Sequence, residues 1–135
     1  MIYIMNLIEI FSIIIVHWFA DFLMQDEKWA LGKSKNWSHL LKHTTTYSLC
    51  WLFLGSLYWV FTKSFPTIPL NLWYFVIITF IFHTITDYFT SRIVSKKFEN
   101  KEYGSSIPNM GAFSIIGIDQ VLHYIQLFTT FYILK

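Results

Sequence analysis

The third apolar stretch of the chain decides the fold. Residues 70–91 read LNLWYFVIITFIFHTITDYFTS, 22 positions in which Asp87 is the one charged side chain. A helix crosses the hydrocarbon core of a bilayer with about 20 residues, so this stretch is long enough to span a membrane. Its apolar residues do not alternate with polar ones, as they do in the strands of membrane barrels. The stretch therefore predicts a transmembrane helix.

Three other apolar stretches pass the same test, and together they predict transmembrane helices at about residues 3–24, 40–62, 70–91 and 111–134. The composition agrees, because only 13% of the 135 residues are charged while 55% are apolar. A soluble domain usually has about 25% charged residues. We expect an all-α fold, an integral membrane four-helix bundle in which residues 1–135 form a single transmembrane domain.

The basic residues predict the orientation of the bundle. Eight of the ten flank the first and third connections, and two lie on the opposite side. The eight are Lys28, Lys33, Lys35, Lys42, Arg92, Lys96, Lys97 and Lys101, and the two are Lys63 and Lys135. The positive-inside rule then places both termini on the non-cytoplasmic side. Because topology explains these lysines, we expect membrane lipid and not nucleic acid as the partner.

Histidine and aspartate recur four residues apart in three of the predicted helices. The first and third helices carry His17 with Asp21 and His83 with Asp87, and the fourth carries the reverse order, Asp119 with His123. A spacing of four places both side chains on one helix face. The fourth helix runs opposite to the first and third, so the reversed order brings the pairs to matching depths.

A ring of seven side chains results, to which every predicted helix contributes near the cytoplasmic face. Its members are His17, Asp21, His43, His83, Asp87, Asp119 and His123. An ionised aspartate near the centre of a membrane helix costs about 2.5–3.5 kcal/mol, so a compensating charge is expected. A divalent cation is the natural candidate. Zinc accepts imidazole and carboxylate ligands, iron or manganese also fits, and seven donors suffice for one or two ions. In the competing interpretation, histidine and aspartate pair with each other and define the helix register.

Five short motifs carry a resemblance to a known family. They are HWFADFLMQ at 17–25, WALGK at 29–33, LLKH at 40–43, His83 with Asp87, and DQVLH at 119–123. Their order and spacing resemble the bacterial and phage membrane proteins grouped as domain of unknown function 3307. The resemblance spans nearly the whole chain. It implies a four-helix membrane fold with functional roles for Gln25, Lys33 and Gln120, in the inner (cytoplasmic) membrane of a bacterium or a phage-infected cell. It implies no established reaction.

A looser similarity connects the chain to membrane-bound metal-dependent hydrolases, and hydrolysis is our leading functional hypothesis. The substrate would be a lipid-like, phosphate or acyl ester at the cytoplasmic face. A bound metal lowers the pKa of its water toward about 7 and polarises the substrate oxygen. We expect catalytic roles for Asp21, Asp87, Asp119 and Lys33, with one aspartate left off the metal as general base. Substrate contacts are expected from Gln25, Tyr47 and Gln120.

Two other functions fit the same sequence. One is a small transporter or channel in which aspartate and histidine relay protons or metal ions. The other is a non-enzymatic membrane interaction protein. An oligomer is compatible with each of these hypotheses.

Overall fold

The structure, a computed structural model, describes residues 5–63, 69–100 and 110–134, and within these ranges the chain is helical without any strand. Its five α-helices are α1 (Leu7–Trp18), α2 (Glu27–Gly32), α3 (Trp37–Lys63), α4 (Leu70–Glu99) and α5 (Met110–Leu134). A π-helical turn, Phe19–Leu23, continues α1. The all-α prediction is confirmed, and the four long helical segments correspond to the four predicted ones.

The helix boundaries differ from the predicted ones at several points. The predicted start of the first helix, residue 3, lies outside the described residues. Helix α4 continues past the predicted end at residue 91 as far as Glu99, because no proline or glycine interrupts it. The connection predicted at residues 25–39 contains the additional helix α2. The Asp26 side chain caps that helix by accepting hydrogen bonds from the backbone N–H groups of Lys28 and Trp29, as aspartate often does at a helix start.

Helix α4 is central, because it packs against both α3 and α5. Helix α1 contacts α3 and α5 as well, so the four long segments enclose a common interior. The short helix α2 packs on α3 at a close approach: a Cβ atom on Gly32 would lie 1.9 Å from Nδ1 of His39. Only glycine fits there, and this contact holds the following residue, Lys33, beside the end of the bundle.

At the level of the predicted ring, polar side chains are buried and apolar side chains are exposed. On α4 the apolar residues Ile77, Ile81 and Ile85 are about half exposed, whereas His83 and Asp87 are almost fully buried. The same contrast runs along α5. Polar side chains therefore occupy the interior at the level of the predicted ring, and apolar side chains cover the outside.

An apolar cluster closes the interior on the side of the ring nearer the termini. Its buried members include Ile13, Trp51, Phe75, Val76 and Leu127. They lie one or two helical turns from the ring residues on their respective helices.

Helix α4 alone among the described helices combines the length and the apolar composition needed to cross a membrane. Its most apolar window of 18 residues has a mean hydropathy of 1.4. A single helix of this kind also occurs in the cores of soluble proteins. The arrangement of four membrane spans with both termini outside the cytoplasm therefore stays a prediction.

Candidate metal centre

Three helical segments deliver imidazole and carboxylate groups to one buried point. Asp21 comes from the π-helical turn, His43 from the first turns of α3, and His83 and Asp87 from one face of α4. Each of these side chains is 5% exposed or less. π-Helical turns occur often at functional sites, where they redirect a side chain. Here the turn contains Asp21 itself.

Three donor atoms form a nearly regular triangle, which we call the primary site. Nε2 of His43 lies 3.1 Å from Nε2 of His83 and 3.2 Å from Oδ1 of Asp21, and the His83–Asp21 edge measures 3.5 Å. Zinc bonds of 2.0–2.2 Å at the tetrahedral angle separate ligand atoms by roughly 3.3–3.6 Å. Oδ1 of Asp21 has no hydrogen-bond partner although it is buried. The three atoms are spaced to hold one metal ion.

Asp87 extends the primary site and connects it to a lysine. Its Oδ2 lies 3.0 Å from Nε2 of His43 and 3.7 Å from Nε2 of His83. The same oxygen accepts a hydrogen bond of 2.7 Å from Nζ of Lys33. Burial lowers the pKa of Lys33, but the carboxylates of Asp87 and Asp21 outweigh this effect and raise the pKa above its usual value. Lys33 is therefore a charged partner of the cluster.

His123 of α5 lies against the opposite oxygen of Asp87 and beside Asp119. Nε2 of His123 is 3.4 Å from Oδ1 of Asp87 and 3.5 Å from Oδ2 of Asp119. The hydroxyl of Thr90 donates a hydrogen bond of 2.5 Å to Oδ1 of Asp119 and so orients that carboxylate. Six of the seven ring members thus belong to groups of donor atoms that lie within 4.8 Å of one another.

His17 is the exception, because both of its ring nitrogens are engaged elsewhere. Nε2 lies 2.9 Å from Oε1 of Gln120, an acceptor, so Nε2 is the nitrogen that donates. Nδ1 then accepts a hydrogen bond of 2.7 Å from the Tyr47 hydroxyl. The amide of Gln120 in turn donates to Asp21 at 3.1 Å and to Asp119 at 3.2 Å. His17 orients Gln120, and Gln120 orients the two carboxylates.

A cleft of about 520 Å³ opens beside this cluster. Its polar walls are formed by Asp21, Gln25, Lys33, Ser34, Thr90, Ser91, Ser95, Asp119 and Gln120. Apolar walls come from Phe22, Ala30, Leu31, Val94, Phe98 and Ile116. Its volume lies within the range of small-molecule sites. The donor atoms are therefore buried but adjoin a space that a substrate can enter.

Residues 10–135 match the protein family DUF3307, whose description is 'protein of unknown function'. The chain belongs to the DUF3307 family. This confirms the resemblance seen in the sequence. No curated protein and no solved structure matches the chain. The looser similarity to hydrolases therefore stays a prediction.

For this DUF3307 protein, the structure brings together most of the residues predicted for the site. Asp21, His43, His83, Asp87, Asp119 and His123 converge, with Lys33 and Gln120 in direct contact with them. The prediction that His17 is a metal ligand finds no support in the geometry, because Tyr47 and Gln120 occupy its ring nitrogens. Gln25 lines the cleft, as expected of a substrate contact. Tyr47 is 1% exposed and does not reach the cleft.

Sequence reasoning missed one contributor, Thr90. It lies three residues after Asp87 on the same face of α4, and its hydroxyl fixes Asp119. That spacing was visible in the sequence of this DUF3307 protein. The partner on α5 was not, since only the packing of α4 against α5 brings the two side chains together.

Proposed function

We propose that this protein is a metal-dependent hydrolase embedded in the inner membrane. It acts on an ester of a lipid-like molecule, a phosphate or acyl ester, at the cytoplasmic face. The observation that carries the proposal is the primary site: three buried donor atoms lie 3.1–3.5 Å apart, and one of their residues, Asp21, lines a cleft of about 520 Å³. A purely structural metal site would not need the cleft.

The placement in a membrane with four spans rests on the exposed surface. Large apolar side chains cover α1, α3, α4 and α5 on their outer faces, while histidine, aspartate and threonine are buried. Soluble monomers rarely expose apolar patches of this extent. The buried polar residues also lower the mean hydropathy of α3 and α5. Because these residues face the interior of the bundle, lipid would not contact them. The basic connections add the expected orientation, with both termini non-cytoplasmic.

A divalent cation fits the charge of the cluster. The carboxylates of Asp21, Asp87 and Asp119 and the ammonium of Lys33 leave a net charge of −2 when the imidazoles are neutral. A buried charge of this size is costly unless it is paired. One divalent ion neutralises it. Zinc suits the nitrogen and oxygen donors best, and iron or manganese is compatible with them.

When bound, the ion supplies a water of lowered pKa and polarises the carbonyl or phosphoryl oxygen of the substrate. Asp21, His43 and His83 hold it. Gln120 keeps the carboxylate of Asp21 in place, because its amide donates to Oδ2 and leaves Oδ1 for the metal. Lys33 offsets the charge of Asp87 and, with a side chain that is 17% exposed, presents positive charge to the cleft. Asp119 faces the cleft and belongs to the catalytic group.

The arrangement favours a hydrolase over a transporter. A transporter needs polar or ionisable groups along a path to the far side of the membrane. Beyond the cluster, the interior is closed by Ile13, Trp51 and Phe75. Three polar residues on that side are satisfied locally, because the amide of Gln126 donates to the hydroxyls of Thr79 and Thr130. None of the described buried residues there is an aspartate, glutamate, lysine, arginine or histidine.

The test combines metal content with hydrolysis. Protein purified in detergent is equilibrated with Zn²⁺, Mn²⁺ or Fe²⁺, and its metal is measured by mass spectrometry. Hydrolysis of a long-chain acyl ester and of a long-chain alkyl phosphate is then followed in mixed micelles. We expect at least one ion per chain and hydrolysis of one substrate class, both lost in His83→Gln.

The matched control is Glu99→Gln, because Glu99 is an exposed carboxylate outside the donor groups and the cleft. It should retain both metal and activity. A wild-type protein without stoichiometric metal, or hydrolysis that persists in His83→Gln, would refute the proposal. Metal-ion or proton flux in proteoliposomes that disappears in Asp87→Asn would establish the transporter instead.

A further inference from the structure

We propose that the cluster holds a second, weaker divalent-ion site formed by Oδ1 of Asp87, Oδ2 of Asp119 and Nε2 of His123. This inference rests on the metal centre of the proposed function and extends it. The second ion would share Asp87 with the primary site and face the cleft.

Two distances from His123 support a separate position. Nε2 of His123 lies 3.4 Å from Oδ1 of Asp87 and 3.5 Å from Oδ2 of Asp119. Both edges agree with the separation of roughly 3.3–3.6 Å expected between two ligands of one zinc ion. These donors differ from those of the primary site, where the nearest Asp87 atom is Oδ2.

His123 provides an independent indication of a ligand. The side chain is about 2% exposed, and its Nε2 has no hydrogen-bond partner. It lies within ion-pair distance of one carboxylate oxygen of Asp87 and one of Asp119. A buried nitrogen that makes no well-formed hydrogen bond is unfavourable. Coordination of a cation by its lone pair would remove that cost.

Asp87 is placed to bridge the two ions. Its Oδ2 faces His43 and Lys33, and its Oδ1 faces His123. A carboxylate whose two oxygens contact different groups in this way fits a centre in which two metal ions lie about 3.5–4 Å apart and bind one substrate group. The two ions would therefore act on the same substrate.

Asp119 links the second site to the cleft. Thr90 donates to its Oδ1 and Gln120 to its Oδ2, so the carboxylate orientation is set before any ion binds. Both Asp119 and Gln120 line the cleft. Three protein donors with one side open to the cleft leave a position for water or substrate, which is the usual form of a catalytic metal site.

The charge of the cluster predicts the order of binding. The first divalent ion neutralises the net charge of −2, so the second ion leaves the centre positive. The second ion should therefore bind more weakly and should bind more tightly together with an anion. Inorganic phosphate is a suitable probe, because its oxygens can contact both ions.

The experiment is a metal titration of full-length protein in detergent, with and without inorganic phosphate. Zn²⁺ bound is measured after equilibrium dialysis, and Mn²⁺ loading is followed by electron paramagnetic resonance. We expect two ions per chain, the second at least 10-fold weaker, and at least a 10-fold gain in its affinity with phosphate. The Mn²⁺ spectrum should show spin coupling between two ions bridged by one carboxylate.

Two conservative variants locate the second site. Asp119→Asn and His123→Gln should each retain the first ion and lose the second, together with the spin coupling. The matched control is Glu99→Gln, an exposed carboxylate, and it should bind two ions. Thermal melting of each metal-free variant identifies any that fails to fold, and Thr90→Val then tests the same site by a smaller change.

The outcomes separate this inference from the proposed function. Saturation at one ion per chain, or loss of both ions in Asp119→Asn with the fold intact, overturns the second site even if the protein hydrolyses esters. Two ions with the expected variant pattern support the second site even if no ester is hydrolysed.

Discussion

Gln120 provides the sharpest test of how the proposed metal centre is held in position. Its amide donates to Asp21 at 3.1 Å and to Asp119 at 3.2 Å, and its carbonyl accepts from His17 at 2.9 Å. We expect Gln120→Met to keep the side-chain length and remove all three hydrogen bonds. The Asp21 carboxylate would then be free to rotate away from the ion.

The expected loss can be bounded from the chemistry of these contacts. A hydrogen bond to a charged group contributes about 1.5–3 kcal/mol. Part of this is recovered when water or a shifted side chain takes the vacated place. Removing a group that orients a metal ligand typically lowers metal affinity about 10- to 100-fold, which corresponds to about 1.4–2.7 kcal/mol. We therefore expect the Zn²⁺ dissociation constant to rise by about 10- to 100-fold.

The assay is competition for Zn²⁺ between the protein and a chromophoric chelator at fixed pH. Gln126→Met is the matched control, because Gln126 lies on the same helix and bonds Thr79 and Thr130 but not the cluster. It should change Zn²⁺ affinity less than about twofold. His17→Phe should resemble Gln120→Met, and the double variant should add little, since both residues act through one hydrogen-bonded chain. An unchanged affinity in Gln120→Met, or an equal loss in Gln126→Met, would refute this reasoning.

Three further predictions concern the charge, the surface and the carboxylate anchor. Lys33→Met removes the ammonium paired with Asp87, so the metal-free protein should lose about 3–5 kcal/mol of stability. Added Zn²⁺ should raise the melting temperature of this variant more than that of the wild type. Equal shifts in melting temperature would contradict the role of Lys33. Ile81 lies at a half-exposed position on α4. In an insertion assay, Ile81→Asp should make the free energy of membrane insertion less favourable by about 2.5–3.5 kcal/mol. If this position were instead exposed to water, the substitution would change stability by no more than about 0.5 kcal/mol. Thr90→Val removes the hydrogen bond to Asp119. Equilibrium dialysis should show that the affinity for the second ion falls by about 10-fold while the affinity for the first ion is unchanged. A loss of affinity confined to the first ion would argue against the assignment of Asp119.

Much of the site was predictable because helical periodicity and chain direction are properties of the sequence. The spacing of His83 and Asp87 places both on one face of α4, and the reversed order of Asp119 and His123 on α5 brings them to the same depth. The energetic cost of unpaired carboxylates among apolar residues then pointed to a common interior. The composition of the surrounding stretches determined the helical class in the same way.

Only the tertiary structure decided which nitrogens and oxygens face one another. His17 carries the same motif as His83, yet the hydroxyl of Tyr47 and the amide of Gln120 engage both of its ring nitrogens and keep it out of the donor groups. The contact of Lys33 with Asp87 depends on the short helix α2 and its close packing on α3. Periodicity places a side chain on a face, but hydrogen-bond partners are set by helix rotation and by distances of a few tenths of an ångström between helices. Those quantities arise from packing across the whole bundle, and they cannot be derived from the spacing of residues along the chain.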